Sequence, residues 1–213
     1  MTEAPLNPPE NREQTAEIMF ETFGVSGLLI SVQAILAIAA SWTSIKSNHK
    51  EFSGLVVDSG EGATHIVPVA DGHILASGVR QIPVGGSDIS NFVLQSLRQR
   101  KEPIPPQQSL ETARKIKKRY LYVCSDIQRE TDKYLGDRQK YVKQYSGFHA
   151  PTNQSWQCSI ETERFLAPEI MFRTDVCTLY IPNINTEFNS QFFRTLINRL
   201  RLISKQSPFH CHK

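Results

Sequence analysis

The sequence has almost no excess of charge of either sign. Its 24 lysine and arginine residues stand against 21 aspartate and glutamate residues, which gives a formal net charge of +3 over 213 residues. Domains that bind nucleic acid or anionic membranes through charge usually have a strongly basic composition. The charge balance therefore predicts neither nucleic acid nor a membrane surface as a partner.

Cysteine is scarce as well. Cys124, Cys158, Cys177 and Cys211 are too far apart for a zinc site of closely paired thiolates and too few for a disulfide-rich secreted domain. Reduced thiols are therefore the expectation. The motif His210-Cys211-His212 could offer metal ligands, but no third and fourth ligands follow at a suitable spacing.

A secretory signal and a membrane span are also lacking. The first twenty residues contain four glutamates and no apolar core, which is unlike a signal peptide. Residues 22–45 carry no charge, but two glycines and polar side chains such as Gln33 interrupt them, and lipid would not satisfy those polar groups. We therefore expect a cytoplasmic protein without a membrane span.

The apolar pattern changes along the chain in a way that predicts an α/β fold. Residues 28–32 suit a buried strand, and residues 34–40 have the alanine content of a tightly packed helix. A three-stranded antiparallel meander is predicted for residues 55–57, 66–69 and 73–76, because turn signals rich in glycine separate these runs.

Helical periodicity appears in three further places. Residues 11–23 place four apolar side chains on one face, and residues 89–97 do so after a polar N-capping sequence that ends at Asp88. Residues 110–123 predict a third helix, whose basic side chains are most simply a solvated face. Residues 124–156 show weak periodicity, and the basic tail predicts a helix only over residues 192–203.

The segment that most suggests a ligand-binding site is the turn between the first two strands of the meander. Its sequence is Asp58-Ser59-Gly60-Glu61-Gly62, and His65 follows. Glycines allow backbone N–H groups to approach a phosphate closely, and an aspartate at a strand end can orient a metal-bound water. Taken alone, the same pattern also suits a purely structural β-turn with a hydrogen-bonded histidine nearby.

The order of the motifs along the chain resembles the actin family. The motifs that recur in that order are Pro5-Leu6-Asn7, Asn11-Arg12-Glu13, Ile18-Met19-Phe20-Glu21, Val32-Gln33-Ala34, Asp58-Ser59-Gly60 and Thr64-His65. Within the family, residues 41–53, 104–124 and 143–147 are similar to the actin-related subunits of the complex that nucleates branched filaments.

The resemblance implies an actin-like ATPase fold, in which two ribonuclease-H-like lobes close around ATP and a divalent metal, here incomplete at both ends. Residues 1–42 would hold the end of the first lobe and the inter-lobe helix, and residues 43–87 the β-meander of the second lobe with its phosphate loop. Residues 88–168 would form the helical subdomain that covers the purine. Residues 169–213 would be a tail, with the family pattern lost after residue 172.

The resemblance also implies roles for single residues. Gln33 would orient the attacking water, His65 would lie near the γ-phosphate, and Asp58 would face the metal through a water. The remaining expected contacts to ATP and Mg are Ser59, Gly60, Glu61 and Gly62 in the phosphate loop, Gly86 near the ribose and Lys117 beside the purine.

Two departures from the family pattern weaken the expected nucleotide site. Glu61 stands where the family usually has aspartate, which adds a methylene in a tight loop. Lys118 stands where the family has a glutamate that accepts from the ribose hydroxyls, and lysine offers no acceptor. We therefore expect weak or absent ATP binding and no enzymatic activity.

The function implied is that of a subunit in the nucleation of branched actin filaments, with actin, actin-related protein 2 and the other subunits of the complex as partners. The expected location is the cytoplasm, at the actin cytoskeleton and cell projections. Two alternatives remain open: a working actin-like ATPase, and a non-functional fragment without nucleotide binding.

Overall fold

The computed structural model of the chain describes residues 1–44 and 52–172. Contacts within the chain divide it into two compact units, Met1–Pro83 and Val84–Lys213. Each unit mixes helices with strands, as the α/β prediction requires.

The first unit holds a four-stranded antiparallel sheet, preceded by two helices and a short parallel strand pair. Its elements are β1 (Thr2–Glu3), α1 (Pro9–Glu17), a π-helical turn (Ile18–Thr22), β2 (Ser31–Val32), α2 (Gln33–Ser44), β3 (Gly54–Ser59), β4 (Thr64–Ala70), β5 (His73–Ile74), a 3₁₀ turn (Ala76–Gly78) and β6 (Arg80–Ile82). Strand β1 pairs with β2, and β4 pairs with β3, β5 and β6.

The predicted meander is present as β3, β4 and β5. The β4–β5 turn contains Asp71 and Gly72, whose positive φ values of 47° and 79° are those that a tight two-residue hairpin turn requires. The sequence analysis missed β6, because a three-residue strand containing Arg80 and Gln81 shows no apolar alternation.

The core of the first unit lies between α2 and the sheet. Ala34 and Ile38 of α2 are buried together with Val67 and Val69 of β4, and Val56 of β3 packs against them. The small alanine side chains allow the helix to approach the sheet closely, as the alanine-rich sequence predicted.

The prediction of a buried strand over residues 28–32 was wrong for most of its length. Only Ser31 and Val32 form β2, and Leu29 is 75% exposed. A strand extends only as far as a neighbour supplies hydrogen bonds, and β1 is two residues long. The predicted helix over residues 11–23 forms as α1 and the π-helical turn, but Phe20 and Phe23 on its apolar face remain exposed.

The second unit combines helices with one two-stranded antiparallel sheet. Its elements are α3 (Gly86–Gln99), a 3₁₀ turn (Pro106–Gln108), α4 (Ser109–Tyr120), α5 (Ile127–Gly136), α6 (Arg138–Tyr141), β7 (Lys143–His149), a 3₁₀ turn (Ala150–Thr152), β8 (Gln154–Ile160) and α7 (Glu163–Glu169).

Helices α3 and α4 confirm the two helices predicted for this part of the chain. Gly85 precedes α3, and its backbone N–H donates to the Asp88 carboxylate at 2.8 Å, so Asp88 caps the helix as predicted. Phe92, Val93 and Leu97 bury the apolar face of α3, while Ala113 and Ile116 bury that of α4.

Residues 124–156 contain more regular structure than their sequence indicates. Helix α5 begins after Asp126, whose side chain accepts hydrogen bonds from the backbone N–H groups of Gln128 and Arg129. Strand β7 mixes polar and aromatic residues without a clear apolar alternation, and Phe148 is 55% exposed. Its hydrogen bonds to β8 stabilise a strand that propensity alone did not predict.

Two of the four cysteines, Cys124 and Cys158, are buried and are not part of a disulfide. Burial raises the pKa of the Cys158 thiol to about 11, and the nearby Glu102 carboxylate adds to that effect. Cys177, the motif His210-Cys211-His212 and the predicted helix over residues 192–203 lie outside the described residues. Among residues 1–44 and 52–172, no helix has the length and apolar character needed to cross a bilayer.

Candidate functional site

The acidic glycine turn is the loop of the β3–β4 hairpin. Asp58 is the penultimate residue of β3 and pairs directly with His65 of β4. His65 also pairs with Gln81 on its other side, in β6. Directly opposed residues in a sheet present their side chains on the same face, about 5 Å apart at Cβ. The structure thus aligns a carboxylate, an imidazole and an amide in one row across three strands.

The side chains of Asp58 and His65 lie on the same face of the sheet as the buried core residues. Val56 and Val67 form the next residue pair on the same face and lie in the core against α2. Asp58 and His65 are only half-buried, so the row lies where the sheet extends towards solvent. Within the described part of the chain, neither side chain has a hydrogen-bond or ion-pair partner.

The turn between the strands is closed by the chain's own backbone. The N–H of Gly60 donates to the carbonyl oxygen of Ala63 at 3.0 Å, and the hydroxyls of Ser59 and Thr64 lie 2.9 Å apart. Gly60, Glu61 and Gly62 are exposed. Since the Gly60 N–H already has an acceptor, a phosphate on this turn would have to use other donors.

Neither glycine of the turn is required by the chain's own conformation. Gly60 and Gly62 both lack a positive φ, and a Cβ at Gly62 would meet no atom within 4 Å. A Cβ at Gly60 would make only an ordinary contact with Ala63, at 3.6 Å. The space above the turn is therefore open to a group that approaches the backbone closely.

Gln33 occupies a separate position in the first unit. It is the first residue of α2, directly after β2, and its side chain is exposed. Within residues 1–44 and 52–172, the structure records no hydrogen bond from Gln33 to Asp58 or His65. The structure therefore brings Asp58 and His65 together but does not link Gln33 to them.

In the second unit, the structure joins the two residues predicted for the nucleoside end of the site. Lys117 of α4 donates from Nζ to the carbonyl oxygen of Gly86, the first residue of α3, at 2.7 Å. The Ser90 hydroxyl donates to the same carbonyl oxygen at 3.0 Å. Lys117 is half-buried, whereas the neighbouring Lys118 is exposed.

Sequence reasoning missed Gln81, which completes the row beside His65. The only local signal is that Gln81 lies shortly before Pro83, where the chain leaves the sheet. A lone glutamine carries no functional signature, so only the pairing of β6 with β4 could identify it.

No group of three or more histidine, cysteine, aspartate or glutamate side chains is arranged to hold a metal ion in the described ranges. Asp58, a single carboxylate, fits a contact made through a metal-bound water better than direct coordination.

Comparison with known protein families gives a match over most of the chain. Residues 1–200 match the family described as Actin. This match confirms the actin-like α/β fold expected from the order of the motifs. It also continues beyond residue 172, where the sequence analysis expected the family pattern to end.

Two curated relatives are similar to this chain over most of its length. Actin-related protein 3 of Acanthamoeba castellanii is 52% identical over 170 residues, which cover 80% of this chain and 40% of that protein. Actin-related protein 3 of Caenorhabditis elegans is 45% identical over 196 residues, which cover 92% of this chain and 44% of that protein. The chain thus spans about two fifths of the length of these relatives.

Proposed function

The chain belongs to the actin family, and we propose that it acts as an actin-related protein 3-like subunit in the nucleation of branched actin filaments. The observation that carries this proposal is the identity of 52% and 45% with two proteins named actin-related protein 3. The proposed partners are actin, actin-related protein 2 and the other subunits of the actin-related protein 2/3 complex, in the cytoplasm at the actin cytoskeleton.

We propose nucleotide-contacting roles, with ATP and magnesium as the ligands, for residues of each unit taken by itself. In the first unit, the residues proposed for the phosphates and metal are Asp58, Ser59, Gly60, Glu61, Gly62 and His65, with Gln33 for the attacking water. In the second unit, Gly86 and Lys117 are proposed for the ribose and purine end. The open space above Gly62 supports this assignment, because a ligand can approach the backbone there.

Bound magnesium would supply positive charge that offsets the phosphates. The chain's own groups have simpler roles. With the nucleotide bound, the Asp58 carboxylate would accept hydrogen bonds from water around a cation, and the backbone of the glycine turn would position a phosphate. Lys117 fixes the carbonyl of Gly86 and so sets the position of the first turn of α3.

In this proposal the nucleotide acts on conformation rather than as a substrate for turnover. A ligand that makes different contacts in two arrangements of a protein shifts the population towards the arrangement it binds better. The expected consequence is a subunit biased towards its filament-like arrangement when ATP is bound, without a classical enzymatic role for these 213 residues.

A second candidate function is ATP hydrolysis, which the Asp58–His65 pair specifically favours. Both side chains lie on one face beside the glycine turn and lack partners in the described part of the chain. An imidazole near a γ-phosphate and a carboxylate near a metal-bound water are groups that a hydrolytic site uses.

Two features of this chain favour weak nucleotide binding over hydrolysis. The Gly60 N–H already donates to Ala63, and Lys118 offers no acceptor for ribose hydroxyls. Isothermal titration of the 213-residue chain with Mg-ATP tests this directly. We expect a Kd weaker than about 1 µM, that is, less than about 8 kcal/mol of binding free energy. Tighter binding, or phosphate release above the background, would support the ATPase alternative.

The partner proposal is tested by co-expression of the tagged chain with the other subunits of the complex, followed by affinity purification. We expect actin-related protein 2 to co-purify with the tagged chain. In a pyrene-actin assay that contains intact complex, added chain should slow branching by competing for the same surfaces. A folded chain that recovers no subunit and leaves branching unchanged would instead support the non-functional alternative.

A further inference from the structure

Strand β3 lies at the edge of the four-stranded sheet of the first unit. We propose that β3 pairs antiparallel with β3 of a second copy of this chain, so that the two sheets join. On one side, β3 pairs with β4 over its whole length, Gly54–Ser59. On its other side, no strand of the described ranges pairs with it. Such an open edge is a template for pairing with another chain.

The hydrogen bonding of the β3–β4 hairpin shows which backbone groups face the open edge. The Gly60 N–H donates to the Ala63 carbonyl oxygen, and hydrogen-bonded pairs alternate along an antiparallel ladder. Val56 therefore exchanges hydrogen bonds with β4, whereas the N–H and C=O groups of Leu55 and Val57 point to the open edge. Within residues 1–44 and 52–172, these groups of Leu55 and Val57 have no hydrogen-bond partner.

The sequence of β3 is self-complementary in one antiparallel register. This register places Val56 opposite the second copy's Val56 and Leu55 opposite the second copy's Val57. Each Asp58 carboxylate then lies opposite a glycine, Gly54, rather than opposite another charge. A register with Val57 opposite Val57 would instead place Asp58 against Val56, on the face that carries the core.

The apolar side chains beside the open edge are exposed in the single chain. Leu55 is 49% exposed and Val57 is 37% exposed, on the face of β3 opposite to the one where Val56 packs in the core. Val57 pairs with Ile66 of β4, which is buried, so these side chains extend an apolar surface towards the edge. In the proposed register, Leu55 and Val57 of both copies form one cluster, and removing them from water favours association.

The charges near the edge favour an identical chain as the partner. Strands that avoid edge pairing usually carry lysine, other charges or proline. In β3, Asp58 is the only charged residue, and the strand contains no proline. Helix α2 packs against β3 on the core side and has no charged residue from Gln33 to Ser44. Two copies can therefore approach through this edge without like charges facing each other, and no complementary charge from another protein is needed.

Sedimentation equilibrium of the full 213-residue chain tests the proposal, and we expect a reversible dimer. The variant L55K/V57K places lysines opposite lysines and should weaken the dimer at least about tenfold. The variant L55K/V57E loses the same apolar side chains, but the register places each new lysine opposite a glutamate. Its dimer should therefore be at least about fivefold tighter than that of L55K/V57K.

The matched control is L75K. Leu75 is also 49% exposed and also lies in the first unit, but it is outside β3 and outside the proposed cluster. The control should leave the dimer affinity within about twofold of the parent chain. Far-UV circular dichroism of each variant checks that the secondary structure is kept.

Amide hydrogen exchange of the parent chain tests the register without any substitution. As the chain concentration rises through the dimer Kd, exchange at Leu55 and Val57 should slow at least about tenfold, because their N–H groups gain acceptors in the second copy. The Val56 N–H, which β4 already binds, should change much less.

Four outcomes would overturn the proposal. They are a parent chain that stays monomeric at about 100 µM, equal dimer affinities for L55K/V57K and L55K/V57E, a loss in L75K as large as that in L55K/V57K, and exchange at Leu55 and Val57 that does not depend on concentration. An oligomer that both double variants leave intact would assign self-association to a different surface.

Discussion

Lys117 and Gly86 are 31 residues apart in sequence, yet the Nζ of Lys117 donates to the carbonyl oxygen of Gly86 at 2.7 Å. This bond links the last turn of α4 to the first turn of α3. A hydrogen bond from a charged donor is stronger than a neutral one, and the half-buried position of Lys117 limits competition from water. The same contact that organises the proposed nucleoside end therefore also stabilises the second unit.

Replacement of Lys117 by methionine should lower the free energy of unfolding by about 1–2 kcal/mol, because it removes the charged donor. Lys118→Met is the control, since Lys118 is exposed and methionine and lysine have similar helix propensity. We expect the control to change stability by less than about 0.5 kcal/mol. Urea denaturation followed by circular dichroism measures both, and equal effects would argue against the role of the Gly86 contact.

The two glycine turns of the first unit should respond differently to alanine. Gly72 has a φ of 79°, and a Cβ there would lie 2.5 Å from the Phe52 ring, so Gly72→Ala should cost more than about 1 kcal/mol of stability. Gly62→Ala should be neutral or slightly stabilising, because its φ is permissive and no atom lies near the new Cβ. Thermal melts of the two variants distinguish these outcomes. A large loss at Gly62 would show that this turn needs glycine for folding.

Arg100 and Glu163 form an ion pair in the second unit whose carboxylate is buried. Arg100 makes two hydrogen bonds to the Glu163 carboxylate, at 2.8 and 2.7 Å, and also donates to the carbonyl oxygen of Ser159. The Glu163 side chain is 1% exposed. Glu163→Ala removes the two short bonds to Arg100 and leaves it only the Glu102 carboxylate at 3.4 Å and the Ser159 carbonyl, so it should cost about 3 kcal/mol.

The matched control for Glu163→Ala is Glu111→Ala, which removes an exposed ion pair of similar length, 2.8 Å to Lys115. We expect that control to change the free energy of unfolding by less than about 0.5 kcal/mol, because solvent screens an exposed pair. Urea denaturation compares the two variants. Similar losses for both would show that burial does not set the strength of the Arg100–Glu163 pair.

Stability should fall in acid in a way that depends on Glu161. Burial acts to raise the pKa of Glu161, but hydrogen bonds from Tyr134 at 2.6 Å and Arg138 at 2.7 Å outweigh it, so the pKa is lowered from its ordinary value of 4.5. A carboxyl whose pKa is lower in the folded state stabilises the fold above its ordinary pKa, and this contribution is lost as pH falls through the folded value.

Glu161→Gln should therefore be less stable than the parent chain at pH 7, and the difference should shrink below about pH 4. Urea denaturation at a series of pH values measures the difference in unfolding free energy between the variant and the parent chain. Glutamine is chosen because it preserves the shape of the side chain. If this difference does not change with pH, the ionised form of Glu161 makes no contribution of its own to stability.

Several elements of the fold follow directly from local sequence. The meander is marked by turns whose residues allow the required backbone, as at Gly72, and α3 is marked by the capping carboxylate of Asp88. The pairing of Asp58 with His65 also follows from the predicted hairpin, since a short turn between two strands fixes their register. These features depend on residues close together in the chain.

Sequence by itself thus determined the order of the motifs, the membership of the actin family, the β3–β4 hairpin and the helices that flank it. Only the tertiary structure decided that Gln81 joins His65, that Lys117 holds Gly86, and that the apolar face of Phe20 and Phe23 stays exposed. The physical reason is that propensity and capping act over a few residues, whereas burial and strand pairing depend on which distant segments meet.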